Sequence, residues 1–283
     1  MFGPSIFSAN TFYLLVFTLS LFNGCSLPDT SAGADSSVYP SGMDRHEDCG
    51  QSQGLPLREL PAYDEGEDII YYEGFTVSYN HATLVPNWVA YELTASELNG
   101  HYDTKSSNFS RDPNVKGKQA SREDYSHSGW DKGHMCPKAD LRWSEKAYWQ
   151  SHYFPNICPQ NHDLNRYDWN TLEKRVRTLA ERYDTVWVVC GPIFESGEFG
   201  TIGDAHVQVP DYFFKALLIR TADGFSSIAY VMHNDGRHHK LSDYACTVNE
   251  LEQRIRRDLF PALDDSIEET VEETVDWHCW ERF

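Results

Sequence analysis

The chain has 283 residues, and no two of its seven cysteines stand in a CxxC pair or at zinc-finger spacing. A framework built on structural zinc is thereby excluded. HxH and HExxH are also absent, so the adjacent pair His238–His239 lacks the spacing of a zinc hydrolase. No internal repeat and no second linker follow residue 66, which indicates a single domain from there on. The apolar run from Phe12 to Phe22 is shorter than a membrane span. Basic residues are scarce: 24 Lys and Arg stand against 43 Asp and Glu, a net charge of −19. Taken whole, that balance argues against a nucleic-acid partner.

The distribution of the few basic residues reverses this impression. Residues 101–182 hold 14 Lys and Arg against 11 Asp and Glu, and the remainder holds 10 against 32. The acidic surplus lies in the termini, much of it in "DDSIEETVEETVD" (264–276). An acidic exterior around a less acidic site is compatible with a polyanionic substrate, without attracting one at long range.

The run Phe12–Phe22 has the length of a signal-peptide core. "FNGC" followed by Ser26 resembles a loose lipobox, although no Lys or Arg precedes the run and Phe22 replaces the usual aliphatic residue. The reading is a signal segment at 1–25 and export. Cys25 would be lipidated to anchor an outer-membrane or cell-surface lipoprotein; a cleaved signal would give a periplasmic or secreted protein instead. Residues 26–66, rich in Ser, Gly, Pro and Asp, read as a flexible tether. One domain would fill 67–283 and end in the acidic segment. Without Cys25, six cysteines remain, an even set that suggests disulfides in an exported protein. Cys136–Cys158 is the expected pair, because both lie beside the candidate chemistry.

Apolar residues make up 40% of the chain and aromatics 14%, enough for a sizeable core. "DIIYYEGFTVSYN" (68–80) and "NWVAYELT" (87–94) read as strands, and 95–127 as a long polar loop. "WSEKAYWQSHY" (143–153) carries a Ser144 N-cap signal. In "DWNTLEKRVRTLAERY" (168–183), Trp169, Leu172, Val176, Leu179 and Tyr183 form one apolar helical stripe. "TVWVVCGPIF" (185–194) reads as a buried strand. "YFFKALLIR" and "FSSIAYVMH" flank "TADG" as a hairpin, and "TVNELEQRIRRDL" (247–259) reads as a helix capped by Thr247. Strands and helices mix without βαβ alternation, so the class is α+β with flanking helices.

Within "SGWDKGHMCP" (128–137), His134 is an imidazole able to take a proton from water at neutral pH, or simply a residue in a turn. Gly133 would let the backbone bring it close to a bulky substrate. Lys132 would meet a phosphate or be solvated. Asn165 would cap the following helix or supply a neutral oxygen to magnesium, which needs only one or two protein groups. Glu173 and Arg177, one turn apart, would form a surface salt bridge or face a metal and a phosphate.

"DKGHMCPKADLRWS", "FPNICPQNHDLNRYDWNTLEKRVR" and "VWVVCGPIF", in that order, resemble the DNA/RNA non-specific endonuclease family, the ββα-metal (His-Me finger) nucleases. The resemblance runs from about 70 to 263. It implies a ββα-metal fold on a mixed or antiparallel sheet and hydrolysis of DNA and RNA phosphodiesters to 5′-phosphate ends. It implies His134 as general base, Asn165 as the direct ligand of one Mg²⁺ (Mn²⁺ substituting), Glu173 bound to the ion through water, and Arg177 steadying transition-state charge. Arg111, Arg122 and Arg142 are candidate substrate contacts. Lys132 stands where the family has arginine. It keeps the charge and loses the two-pronged hydrogen bond, so Lys132→Arg should cleave faster than the parent. The alternatives are a module that binds nucleic acid without cutting it, and a zinc phosphoesterase using His134, His162, His206, His233, His238 and His239. Residual zinc-dependent cleavage in His134→Ala would favour the latter.

Overall fold

The computed structural model describes residues 59–104 and 108–280. The signal run, Cys25, Cys49 and the tether up to residue 58 lie outside the described residues. Eleven strands run in the order β1 (Asp68–Tyr71), β2 (Thr76–Asn80), β3 (Val85–Thr94), β4 (Asp131–His134), β5 (Ile157–Gln160), β6 (Thr185–Ile193), β7 (Thr201–Ile202), β8 (Val207–Gln208), β9 (Tyr212–Thr221), β10 (Gly224–His233) and β11 (Ala245–Cys246). Between and after them come α1 (Arg122–Tyr125), α2 (Glu145–Gln150), α3 (Asn170–Tyr183), α4 (Leu241–Tyr244), α5 (Val248–Ile255), α6 (Asp265–Glu273) and α7 (Trp277–Trp280).

The main sheet has the order β1-β2-β3-β6-β9-β10-β11, antiparallel at every pairing. Its central strands are buried on both faces, and the two-residue period divides them between two cores. Val186, Val188, Cys190, Phe213 and Leu217 face the apolar stripe of α3. Trp187, Val189, Phe214, Ala216 and Leu218 face Val248 and Leu251 of α5 and the segment Leu259–Leu263. The α+β class and the flanking helices are as the sequence indicates.

Several boundaries move for local reasons. The expected strand at 68–80 is a hairpin of β1 and β2, turned at Tyr72–Phe75. There Gly74 passes so close that a Cβ would come 2.5 Å from Leu141 Cδ2. Ser144 caps α2 by accepting from the Ala147 amide at 3.2 Å. Thr247 caps α5 reciprocally with Glu250, at 3.1 and 2.9 Å. α5 stops where Arg256 turns left-handed, at φ 55°, short of the expected 259.

The acidic tail forms α6, which the charge run concealed; Ile267 and Val271, one turn apart, were the available signal. Its Val271 carbonyl accepts from Ser227 Oγ at 2.8 Å. Glu252, Asp258, Glu268 and Glu272 line one cavity between α5 and α6. Burial, then the neighbouring carboxylates, push Glu272 up to about 9, and burial pushes Glu252 and Glu268 up to about 7. These folded-state values lie above the unfolded ones, so the stability they contribute is present at low pH and lost as pH rises towards 9. Between pH 7 and 9, above the histidine titrations, the melting temperature should fall. Glu272→Gln should raise it by about 5 °C at pH 8. A melting temperature constant from pH 7 to 9 in the parent would contradict this.

Candidate active site

His134 is in a strand, not a turn. It ends β4, which pairs antiparallel with β5 in the register Asp131↔Gln160, Lys132↔Pro159, Gly133↔Cys158 and His134↔Ile157. The register also corrects the reading of Gly133. A Cβ there would stand 2.3 Å from Gln160 Oε1 and 2.6 Å from Gln160 Cβ. The missing side chain therefore makes room for Gln160, not for substrate.

The imidazole packs against Phe109 and, perpendicularly, against His152, each with ring centroids 5.3 Å away. Its Nε2 is buried without a partner among the described residues, which leaves Nδ1 as the nitrogen available to water. Burial, then the neighbouring His152 and Lys138, lower its pKa to about 3. The ring is thus neutral at physiological pH. An incoming phosphodiester anion would raise its basicity towards the working range. Trp169 Nε1 donates to the His134 carbonyl at 3.2 Å, tying the base to the helix that follows β5.

That helix begins with a π-helical stretch, Leu164–Trp169, running directly into α3. Asn165 lies inside it, its amide N–H donating to the Asn161 carbonyl at 2.9 Å, so Asn165 is not a cap. Its side-chain Nδ2 donates to Asp131 Oδ2 at 3.0 Å, and His162 Nδ1 lies 3.0 Å from the same oxygen. With the nitrogen so engaged, Asn165 Oδ1 is the end of the amide left to ligate. Asn234 pins the approach by accepting from the Asn161 amide at 2.8 Å and donating to the Pro159 and Pro210 carbonyls.

Glu173 and Arg177 do not pair with each other. Arg177 Nη1 donates to the fully buried Asp140 at 2.7 Å, and burial raises the Asp140 pKa despite that guanidinium. The Glu173 side chain makes no hydrogen bond among the described residues. Burial pushes it up to about 7, with Lys215 the strongest opposing influence. Lys215 is fully buried on the α3 face of β9. Its Nζ lies 4.6 Å from the Trp169 ring centroid and 3.4 Å from the Met135 carbonyl. The sequence reading missed Lys215, Asp140, Asp131 and His152. A lone lysine inside "YFFKALLIR" was the clearest available signal, since a charge on a strand buried on both faces needs a reason.

Of the other candidates, Lys132 borders this cluster. Lys132 Nζ lies 5.5 Å from the ring centroids of both Phe109 and Tyr125, sharing Phe109 with His134. Arg122 donates to Asn108 at 3.2 Å. Arg142 donates to the Tyr102 carbonyl at 3.2 Å and approaches Asp103 at 3.8 Å. Arg111 is exposed, beside Glu123 and Asp124. The expected Cys136–Cys158 disulfide is absent: the five described cysteines are free thiols. The ladder sets Cys158 opposite Gly133, and Asn156 clamps the Cys136 backbone at 2.9 and 2.8 Å, so hydrogen bonds brace this corner.

The donor set suits one hard cation. A neutral amide oxygen and a half-buried carboxylate whose oxygens accept no hydrogen bond among the described residues leave most positions to water, which is how magnesium binds. No group of three His, Cys, Asp or Glu arranged to hold a metal occurs among the described residues. Of the histidines named for the zinc alternative, His162, His233 and His238 pair with Asp131, Asp235 and Asp168.

A β-hairpin carrying the histidine, followed by a helix carrying the amide and the carboxylate, is a ββα unit. A sequence profile described as DNA/RNA non-specific endonuclease matches residues 60–266. The chain belongs to this family.

Among curated relatives, the chain is 34% identical over 215 residues to "Nuclease EXOG, mitochondrial" of Danio rerio, covering 71% of this chain and 63% of that one. With "Endonuclease G, mitochondrial" of Homo sapiens the identity is 35% over 173 residues, covering 57% and 58%. With "Nuclease C1" of Cunninghamella echinulata var. echinulata it is 29% over 214 residues, covering 70% and 85%. The chain thus spans under two thirds of the length of several of these relatives. A chain of the crystal structure of the EndoG/EndoGI complex superposes with a TM-score of 0.65 at 26% identity, covering 71% of this chain and 89% of that one. The non-specific endonuclease fold is therefore shared.

Proposed function

We propose that the chain is an exported, Mg²⁺-dependent endonuclease that hydrolyses phosphodiester bonds of both DNA and RNA. The observation that carries the reading is the ββα unit that ties His134, through its carbonyl to Trp169, to an Asn165 whose oxygen is freed by Asp131. His134 takes a proton from the water that attacks phosphorus in line. Arg177, held by buried Asp140, offers a fixed positive charge to the extra negative charge of the transition state. Mg²⁺, held by Asn165 and through water by Glu173, would supply Lewis-acid stabilisation at the phosphate, with Mn²⁺ able to substitute. Attack at phosphorus with departure of the 3′ oxygen leaves 5′-phosphate ends. Contacts to backbone phosphate rather than to bases account for low selectivity between DNA and RNA.

Export rests on the apolar run at 12–22, with Cys25 as a lipid anchor. The free buried thiols give it no support from disulfide chemistry. Metabolic labelling with a palmitate analogue should mark the chain and fail to mark Cys25→Ala. Nicking of supercoiled plasmid and cleavage of RNA with Mg²⁺, both abolished by EDTA, test the activity. Retention of DNA on a gel without cleavage in Mg²⁺ would leave only the binding-module alternative.

A further inference from the structure

α3 presents a second charged face beyond the catalytic one. Lys174 lies three residues before Arg177 and is therefore its neighbour on the helix surface. From Lys174 the surface continues into a cleft of about 520 Å³ lined by Lys174, Arg175, Lys240, Tyr230, Trp277 and Trp280, among other residues, with no Asp or Glu in its lining. In a chain with 43 acidic residues and 24 basic ones, a cleft walled by three cations and no carboxylate is a local reversal of charge.

The floor is built rather than accidental. Trp280 is 3% exposed, donates from Nε1 to Ser226 Oγ at 2.9 Å, and offers its carbonyl to Arg175 Nη2. The nearby Asp276 carboxylate is occupied by the His278 amide at 3.0 Å and the Cys279 thiol at 3.2 Å. Above this floor Trp277 is 39% exposed, one of the few large apolar side chains left open to solvent. Cations that track a phosphate backbone beside an open aromatic face are what a single-stranded nucleic acid requires.

We propose that this cleft is a second binding site for the substrate strand. Phosphates lie against Lys174, Arg175 and Lys240, a base stacks on Trp277, and the strand reaches the cleft over α3 from Arg177. The proposal rests on the endonuclease reading. It adds an anchoring site outside the reacting centre, which would favour long strands over short ones.

The test uses the full chain carrying His134→Ala, so that binding is measured without cleavage. Fluorescence anisotropy of a labelled oligothymidylate of about 12 nucleotides is followed against salt in EDTA. Lys174→Glu with Lys240→Glu should weaken binding by about tenfold or more and reduce the salt slope by about 1. Trp277→Ala should weaken binding by about 5- to 100-fold, and Trp277→Phe should restore most of it. Circular dichroism and size-exclusion chromatography check that each variant keeps its fold and its oligomeric state. Variants that bind as the parent does, or a charge reversal that changes the oligomeric state instead, overturn the cleft. If the unmodified chain nicks plasmid while the cleft variants bind normally, only the cleft proposal fails. If the unmodified chain neither cuts plasmid nor binds the oligonucleotide, the endonuclease reading itself fails.

Discussion

His134→Ala is expected to lower kcat/KM for plasmid cleavage by about 10²- to 10⁴-fold, the range a positioned general base contributes. The loss should appear mainly in kcat, because in the proposed mechanism the ring acts on the attacking water and not on the bound strand. Added imidazole should recover part of the rate, since the truncated side chain opens space beside Phe109 and His152. Stability should not fall in proportion. Among the described residues the wild-type ring's Nε2 is buried without a partner, and an unsatisfied polar atom costs about 1–3 kcal/mol. Removing it offsets the lost packing, so the melting temperature should stay close to the parent's or rise. A variant that cuts within threefold of the parent would remove His134 from the mechanism.

Asn165→Ala should cost about 10²- to 10³-fold in activity, and the Mg²⁺ concentration for half-maximal rate should rise, because the variant lacks the oxygen proposed to ligate the ion. The graded control is Asp131→Ala. It leaves Asn165 in place but frees its Nδ2 from the 3.0 Å bond that orients the amide. Loss of such an orienting partner costs about 10- to 100-fold in metal affinity or activity. The order Asn165→Ala worse than Asp131→Ala, with both shifting the Mg²⁺ requirement, is the expected pattern. An Asn165→Ala variant with the parent's Mg²⁺ dependence would show that the amide does not hold the ion.

Much of the scaffold was legible because it is specified over short distances. The apolar stripe of α3, the caps at Ser144 and Thr247, and the hairpin of β9 and β10 each depend on residues within a few positions of one another. Motif order in the sequence singled out His134, Asn165, Glu173 and Arg177 as the candidates for the site. What Asn165, Glu173 and Arg177 touch was not legible there. Glu173 and Arg177 are one turn apart, the spacing of a surface ion pair, yet Arg177 belongs to Asp140, 37 residues upstream. Asn165 looked like a cap because a helix follows it, but the π-helical stretch begins earlier and turns its amide to Asp131.

By itself, the sequence determined the family and the class of fold and named candidates for the chemistry, since periodicity, caps and motif order are properties of neighbours along the chain. Only the tertiary structure decided that Gly133 clears Gln160, that Cys136 and Cys158 remain thiols, and that Lys215 lies buried behind Trp169. It also set how far His134 and Glu173 depart from ordinary titration. Each of these depends on which groups lose their water together, and burial is decided by segments that meet in space from distant parts of the chain.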